Sequence, residues 1–457
     1  MSRHPQYRSE CQIATIRKRG LRFILIVAAV LAWISIAPAL ALSQIQNTLA
    51  PKEVESELNL LVQQFLFSED EQQREALLKE ILSHKAATID GLKRLIQNGG
   101  LYPPGPSVGS LHQSIHVRGY EMSYALYVPE NYDPQLAYPL IVCLHGAGFE
   151  GDSYLDRWKT RLGEKSLLLC PTIGAGAWWS PQGEALVMAA VDAVMSKYRI
   201  DPERVFLTGM SNGGIGTYLV GIFHSDRFSA FAPMAGGIPE EIFPFLKNFS
   251  TAGTYIIHGA ADQVMPVDLS RKVSAYLKKA EIPHVYREHT QEHPSAGGHF
   301  FPREELPALV DWFEGQKRIA DPATLISVRD KVHLAPYYWT EINETDGEVA
   351  DLQQSIFDNT AIELVRDGIF PTLKGDIQGN RVLIESQRVK KMTLFFNNRL
   401  IDFSKPVVIS VNGKTHFEGL LSESPTLLLK EAHRRKDRLS FYSASLTIDL
   451  STSDPKK

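Results

Sequence analysis

The sequence has 457 residues, 44% hydrophobic and 22% charged, with 48 Lys and Arg against 52 Asp and Glu for a net charge of −4. That length supports two or three domains and a sizeable core. Residues 1–41 carry six Lys or Arg and one Glu, so the remainder stands at −9, an acidic balance that argues against a nucleic-acid partner.

At the N-terminus, Arg17, Lys18, Arg19 and Arg22 precede an apolar run from Phe23 to Leu42 that contains Pro38 and ends in Ala39-Leu40-Ala41. Basic residues, an apolar stretch and an A-x-A ending predict an export signal, residues 1–41, cleaved after Ala41, with a periplasmic or secreted product. The alternative is an uncleaved anchor over residues 23–42, because about 20 apolar residues also span a bilayer. Membrane contact belongs to that alternative alone. Of the three cysteines, Cys11 falls in this segment. Cys143 and Cys170 fall in predicted strands and read as buried thiols rather than a disulfide, and neither has metal-ligand spacing.

Residues 42–110 read as a helical segment and a linker. Val54, Leu58, Leu61, Val62 and Phe65 recur at helical spacing, as do Leu77, Leu78, Ile81 and Leu82, then Leu92, Leu95 and Ile96, and Asn98-Gly99-Gly100 is a stop signal. Two or three helices that brace the next domain are expected. Within the Pro- and Gly-rich linker 102–110 lies Gly105-Pro106-Ser107-Val108-Gly109, a Gly-x-Ser-x-Gly with no helix pattern behind it, so Ser107 is set aside as a nucleophile.

From residue 111 to 320 strands and helices alternate. His112 to Val117 and Tyr120 to Val128 are β-like, followed by the apolar runs Pro139 to Leu144 and Ser166 to Cys170, a helix from Glu184 to Tyr198, and strands at Arg204–Thr208, Ala230–Met234 and Tyr255–Ile257. A helix from Leu269 to Lys279 and a short strand at His284–Arg287 follow. Apolar runs without polar alternation, separated by helices, predict an α/β fold with a mostly parallel sheet covered on both faces and a ligand site at the strands' carboxyl ends.

Chemistry-bearing residues fall at those ends. After the Ile141 strand stands His145-Gly146-Ala147-Gly148, whose small residues let backbone N–H groups approach a substrate oxygen. A plain glycine turn reads the same way. After the Cys170 strand come Trp178 and Trp179, which either wall a substrate site or pack beneath the loop. After the Val205 strand, Gly209-Met210-Ser211-Asn212-Gly213 leads into a helix-like Ile215 to Phe223, so Ser211 sits on a sharp strand-to-helix turn that exposes its hydroxyl. After the Ile256 strand, His258-Gly259-Ala260-Ala261-Asp262 offers a carboxylate that can orient a histidine, or serve as a turn residue. Gly297-Gly298-His299 then presents a histidine on a flexible loop, and His293 competes with it in the same stretch. A last amphipathic helix holds Leu306, Leu309, Val310, Trp312 and Phe313.

Residues 321–457 change character. Val382 and Ile384, Met392, Leu394 and Phe396, then Val407, Ile409 and Val411 alternate at strand period, and Asn412-Gly413 is a hairpin turn. A separate small β-rich, sandwich-like domain is expected, for substrate or surface attachment or for structural support.

The span from about Leu111 to Gln316, slightly under half of the chain, resembles the α/β-hydrolase superfamily, and within it secreted esterases of the polyhydroxybutyrate depolymerase and feruloyl esterase type; the catalytic domain of prolyl oligopeptidase-like peptidases is also similar at the elbow. The resemblance rests on Tyr138 to Ile141 leading to His145-Gly146-Ala147-Gly148, Tyr198 to Val205, Gly209 to Gly214, and His258-Gly259 with Asp262 and Pro266. The order Ser211, Asp262, His299 is that of the superfamily. The resemblance implies a serine hydrolase cleaving carboxylic esters, polysaccharide-linked or polyester, through an acyl-enzyme, with Asn212, Ala147 and Gly146 at the oxyanion, His145, Trp178 and Trp179 towards the substrate, no metal and no cofactor. An exported peptidase or amidase, and a binding protein on a hydrolase scaffold, are the rivals.

Overall fold

A computed structural model describes residues 51–451 apart from 101, 103–104, 164, 175 and 354–361, so the cleavage site after Ala41, the apolar run 23–42 and Cys11 lie outside the described residues. The chain divides into two compact units, Met1–Leu58 and Asn59–Lys457. Three helices come first: α1 (Pro51–Phe67), which spans that division, α2 (Glu71–Ser83) and α3 (Ile89–Asn98). Asp70 and Thr88 cap α2 and α3 by accepting from Gln73 N and Gly91 N, satisfying first-turn N–H groups that have no partner within the helix.

Eight strands form the central sheet: β1 (Gly109–Val117), β2 (Tyr120–Val128), β3 (Tyr138–Leu144), β4 (Leu167–Pro171), β5 (Ile200–Met210), β6 (Ala230–Met234), β7 (Gly253–Gly259) and β8 (Val285–His289). Their order is β1-β2-β4-β3-β5-β6-β7-β8. The six strands from β4 to β8 in that order run parallel, and β1 and β2 add an antiparallel edge. The β-like stretches 112–128 supply this antiparallel edge: a tight turn at Arg118-Gly119, both at positive φ, returns the chain as a hairpin within the same sheet.

Both sheet faces are covered, which explains the continuous apolar runs. Leu140, Val142, Leu144 and Leu207 pack on one side with α5 (Pro181–Lys197), α6 (Asn212–His224) and the 3₁₀ segment Glu240–Thr251. Ile141, Cys143, Leu168, Cys170 and Phe206 pack on the other with α4 (Gly151–Leu162) and α8 (Leu306–Glu314). Cys143 and Cys170 are buried free thiols on that face. Between β7 and β8 lies α7 (Asp268–Lys279), which buries Val273 and Leu277.

The C-terminal stretch forms two further sheets. One has the order β15 (Lys414–Gly419), β14 (Val407–Val411), β12 (Arg381–Gln387), β11 (Thr372–Gln378), β9 (Thr324–Val328); the other is β10 (Thr340–Thr345), β13 (Val389–Phe396), β16 (Ala444–Asp449). Leu373, Val382, Ile384 and Ile409 of the first share one core with Met392, Leu394, Phe396 and Ile448 of the second. Asn412 (φ 50°) and Gly413 (φ 80°) make the β14–β15 turn, where two successive left-handed residues match the strands' twist.

This region does not hang from a linker. Val328, Ala350, Leu352 and Phe370 join the core that packs on the central sheet. Buried Asn248 donates to Ile222 O and Val328 O and accepts from Val328 N at 2.8 Å. Arg318 makes a buried two-pronged pair with Asp437 at 2.9 and 2.7 Å. Two helices, α9 (Ile362–Arg366) and α10 (Pro425–Arg435), complete the region. The α2 and α3 helices pack on α10, with Lys93 Nζ 2.9 Å from Glu423 just ahead of it.

Candidate active site

Ser211 occupies the turn between β5 and α6 with φ 59° and ψ −121°, a conformation that costs on the order of 1–3 kcal/mol for a residue with a Cβ. Its neighbours explain why the turn holds. A Cβ on Gly213 would overlap the Leu144 carbonyl, and one on Gly209 would overlap Gly213, so both must be glycine for α6 to start against β3. Ser211 N donates to Met234 O at 3.0 Å, tying the turn to the end of β6, and Ala235 N donates to Ile257 O at 2.9 Å, tying β6 to the end of β7.

From β7 the chain turns through Asp262. Its Oδ1 accepts from Val264 N and Met265 N, both at 2.8 Å, and its Oδ2 lies 2.8 Å from His299 Nδ1 and 3.2 Å from His258 Nε2. The Asp262 side chain is fully buried. The two loops are joined by the main chain as well, since Gly298 N donates to Ala261 O at 3.0 Å. With Nδ1–H given to Asp262, a neutral His299 ring carries its lone pair on Nε2. Ser211 Oγ and His299 Nε2 are not hydrogen-bonded to each other, a looseness usual in unliganded sites. The competitor His293 turns elsewhere, its Nδ1 contacting Ser295 Oγ at 3.0 Å and its ring lying near Phe300.

His258 is the residue that pattern reading passed over. Burial pushes its pKa down, against the raising effects of Met265 O and Asp262. Nε2 lies 2.9 Å from Met265 O, an atom that only accepts, so a proton sits on Nε2, while Nδ1 lies 2.7 Å from Ser270 Oγ, which also reaches Gly236 O at 2.9 Å. A neutral imidazole thus supports the far side of the Asp262 carboxylate. Its signal in the sequence was its place as the last side chain of the β7 strand before Gly259.

The structure corrects two expected substrate contacts, His145 and Trp178. His145 is 1% exposed and Trp178 is wholly buried. Trp178 Nε1 donates to His145 O at 2.9 Å, and the two rings meet edge-on with centroids 4.8 Å apart. His145 Nδ1 lies 2.9 Å from Gly146 O and Nε2 accepts from Ile173 N at 3.2 Å, so the ring is the neutral Nδ1–H form, consistent with burial pushing its pKa down. Both residues can be buried because every polar atom of the indole and the imidazole is satisfied by the backbone, at His145 O, Gly146 O and Ile173 N. Their effect falls on Gly146: its carbonyl is held by His145, and across a trans peptide the Ala147 N–H points the opposite way.

Gly146 lies against the elbow, since a Cβ built on it would stand 3.5 Å from Ser211 Cβ. Asn212 opens α6 directly after Ser211. Trp179 is half-buried and its Nε1 has no acceptor. Phe149, unforeseen, is 36% exposed just past the loop, with the Arg157 guanidinium 4.3 Å above its ring. An aromatic three residues after Gly146 was its only signal. Among the described residues no group of three or more His, Cys, Asp or Glu is placed to hold a metal ion.

Comparison with known proteins agrees with this architecture. The model of the prolyl oligopeptidase family matches residues 186–238, which span α5, the elbow and β6. The chain is 30% identical over 157 residues to a probable feruloyl esterase C of Aspergillus terreus, 32% of this chain and 56% of that protein. It is 29% identical over 160 residues to a bifunctional acetylxylan esterase/xylanase of Neocallimastix patriciarum, 34% of this chain and 23% of that protein. It is 33% identical over 115 residues to poly(3-hydroxyalkanoate) depolymerase C of Paucimonas lemoignei, 22% of this chain and 28% of that protein. The chain thus spans little more than half the length of the first of these relatives and less of the other two. Its sheet and elbow give the chain an α/β-hydrolase fold, and the relatives it is similar to are esterases.

Proposed function

We propose that the protein is an exported serine hydrolase of carboxylic esters. The observation that carries this reading is the Asp262–His299 pair at 2.8 Å on loops tied to the Ser211 turn through the ends of β6 and β7. His299 Nε2 takes the proton of Ser211 Oγ as that oxygen attacks the ester carbonyl. The N–H groups of Asn212 and Ala147 receive the oxyanion, and Gly146 keeps the approach free of a side chain. Collapse of the tetrahedral adduct expels the alkoxide, which leaves as the alcohol with the proton from His299. Water then attacks the acyl-enzyme with His299 again as base, releasing the acid and restoring Ser211. Asp262 holds the ring's tautomer and stabilises the imidazolium.

The relatives' names, a feruloyl esterase, an acetylxylan esterase and a polyhydroxyalkanoate depolymerase, favour polysaccharide-linked esters or polyesters as the substrate class. Phe149 and Trp179 are the aromatic surfaces offered to such a substrate. A peptidase or amidase is the second reading, favoured by the prolyl oligopeptidase match over residues 186–238. The test is labelling by a fluorophosphonate probe: the wild type is expected to lose one equivalent of active sites and Ser211→Ala none. Equal labelling of both, or of neither, would sink the assignment of Ser211.

A further inference from the structure

A second site lies on the opposite end of α6 from Ser211. A cavity of about 330 Å³ opens between the hydrolase sheet and the C-terminal region, with Phe223 and His224 from the last turn of α6, Glu184 from α5, Arg329 and His333 from the segment after β9, and Arg435 from α10 among its walls. That volume suits a small organic ligand.

Arg329 is 3% exposed. Among the described residues it forms no ion pair: its Nη1 donates to Phe223 O at 3.0 Å, its Nε is buried without a partner, and its plane lies over the Tyr337 ring at 4.4 Å. Of the five N–H groups of this guanidinium, the one on Nε is buried without an acceptor. Burying a cation is unfavourable, and here the charges of Asp226, Asp330 and Glu184 and the partial negative charge at the carboxyl end of α6 offset it only in part. Asp226, Asp330 and Glu184 lie near Arg329 without pairing with it, and Asp330 is bonded to His333. Glu184 is held by His224, His333 and Gln353, and Asp437 by Arg318, while Asp226 forms no ion pair. Arg435 adds a second deficit: it is paired with Glu431, yet its Nη2 is buried without an acceptor. Met188, Val332, Ala335 and Pro336 give the same cavity an apolar side.

We propose that this cavity binds a small organic anion, its carboxylate or phosphate seated on Arg329 and its apolar part against Val332 and Pro336. The ligand completes a guanidinium that the fold buries with its Nε–H lacking an acceptor. The site lies at the opposite end of α6 from Ser211, which caps the helix's first turn. The inference does not rest on the proposed hydrolysis.

The test uses the purified protein and two readouts, calorimetric titration and thermal unfolding, with butyrate, benzoate and inorganic phosphate as probes and chloride at matched ionic strength as control. Saturable binding with a millimolar midpoint and a rise in Tm of about 2 °C are expected for at least one of the three, with the carboxylates and phosphate distinguishing the two head groups. Arg329→Gln should abolish both signals. Because that variant removes a buried group, Val332→Trp serves beside it: Val332 is 51% exposed at the cavity and a larger ring there blocks entry without touching the charges. The loss of binding in both variants supports the site. No binding to the wild type beyond the chloride control, or binding retained in either folded variant, overturns it.

Discussion

Asp262 stands between two histidines, with His299 Nδ1 2.8 Å and His258 Nε2 3.2 Å from the same carboxylate oxygen. The His299 side chain is partly exposed and that of His258 is fully buried. The acid therefore does more than hold a tautomer, since its own position is set by a neutral imidazole fixed to Met265 O and Ser270. Asp262→Asn should lower kcat roughly 10³- to 10⁴-fold with KM little changed, because the amide favours the wrong tautomer of His299. Steady-state kinetics on an ester with a chromogenic leaving group would check it, and a loss under tenfold would contradict the role.

His145→Phe keeps the ring's volume but removes the bonds to Gly146 O and Ile173 N. The Gly146–Ala147 peptide is then free to rotate. A stability loss of about 2 kcal/mol and a roughly 10- to 100-fold fall in kcat are expected, read by urea unfolding and by ester kinetics on the folded fraction. A surface role in substrate contact would instead raise KM and leave stability intact.

Gly213→Ala should destabilise the protein by roughly 3 kcal/mol. The added Cβ meets the Leu144 carbonyl, which belongs to β3 and cannot move aside as a side chain would. Unfolding midpoints would show it, and an unchanged midpoint would mean that α6 is not held against β3 as described.

The cluster that closes the seam predicts a pH dependence of stability. Burial works against a charged His333, but its bonds to Asp330 at 2.7 Å and to Glu184 at 3.0 Å prevail and push its pKa up to about 9. Burial also opposes a charged Glu184, and the bonds from His224 and His333 again prevail, holding its carboxyl well below the usual range. For His333 the folded value lies above the unfolded 6.5, so its stabilisation is complete below pH 6.5 and is lost as pH rises through about 9. For Glu184 the folded value lies below 4.5, so its share is present above pH 4.5 and is lost on further acidification. Unfolding free energy should drop by on the order of 2–3 kcal/mol between pH 6.5 and 9.5, and His333→Gln should flatten that slope. A wild-type curve already flat there would contradict the clamp.

The legible parts of this chain were those governed by local pattern. The apolar strands, the Gly-x-Ser-x-Gly turn and the Asn412-Gly413 hairpin are short-range devices, and each appears where its residues place it. Asp262 stands out by its place just after a strand and His299 by its glycine flanks on a loop, and the two meet at hydrogen-bonding distance. What pattern did not carry was long-range satisfaction. His145 and Trp178 looked like surface chemistry beside a glycine loop, and only their mutual bonds across 33 positions reveal why both are buried. The seam escaped notice for the same reason: Asn248 and Val328, or Arg318 and Asp437, are 80 and 119 positions apart. A change of periodicity near residue 321 reads as a domain boundary whether or not the two sides share a core.

The most direct measurement is hydrolysis of a short panel by the wild type and by Ser211→Ala: acetyl and butyryl nitrophenyl esters, methyl ferulate, a hydroxybutyrate oligomer and a Pro-nitroanilide. The account predicts ester turnover that falls by roughly 10⁴- to 10⁶-fold in the variant, with little cleavage of the anilide. Ester turnover that survives Ser211→Ala, or cleavage of the anilide alone, would contradict it.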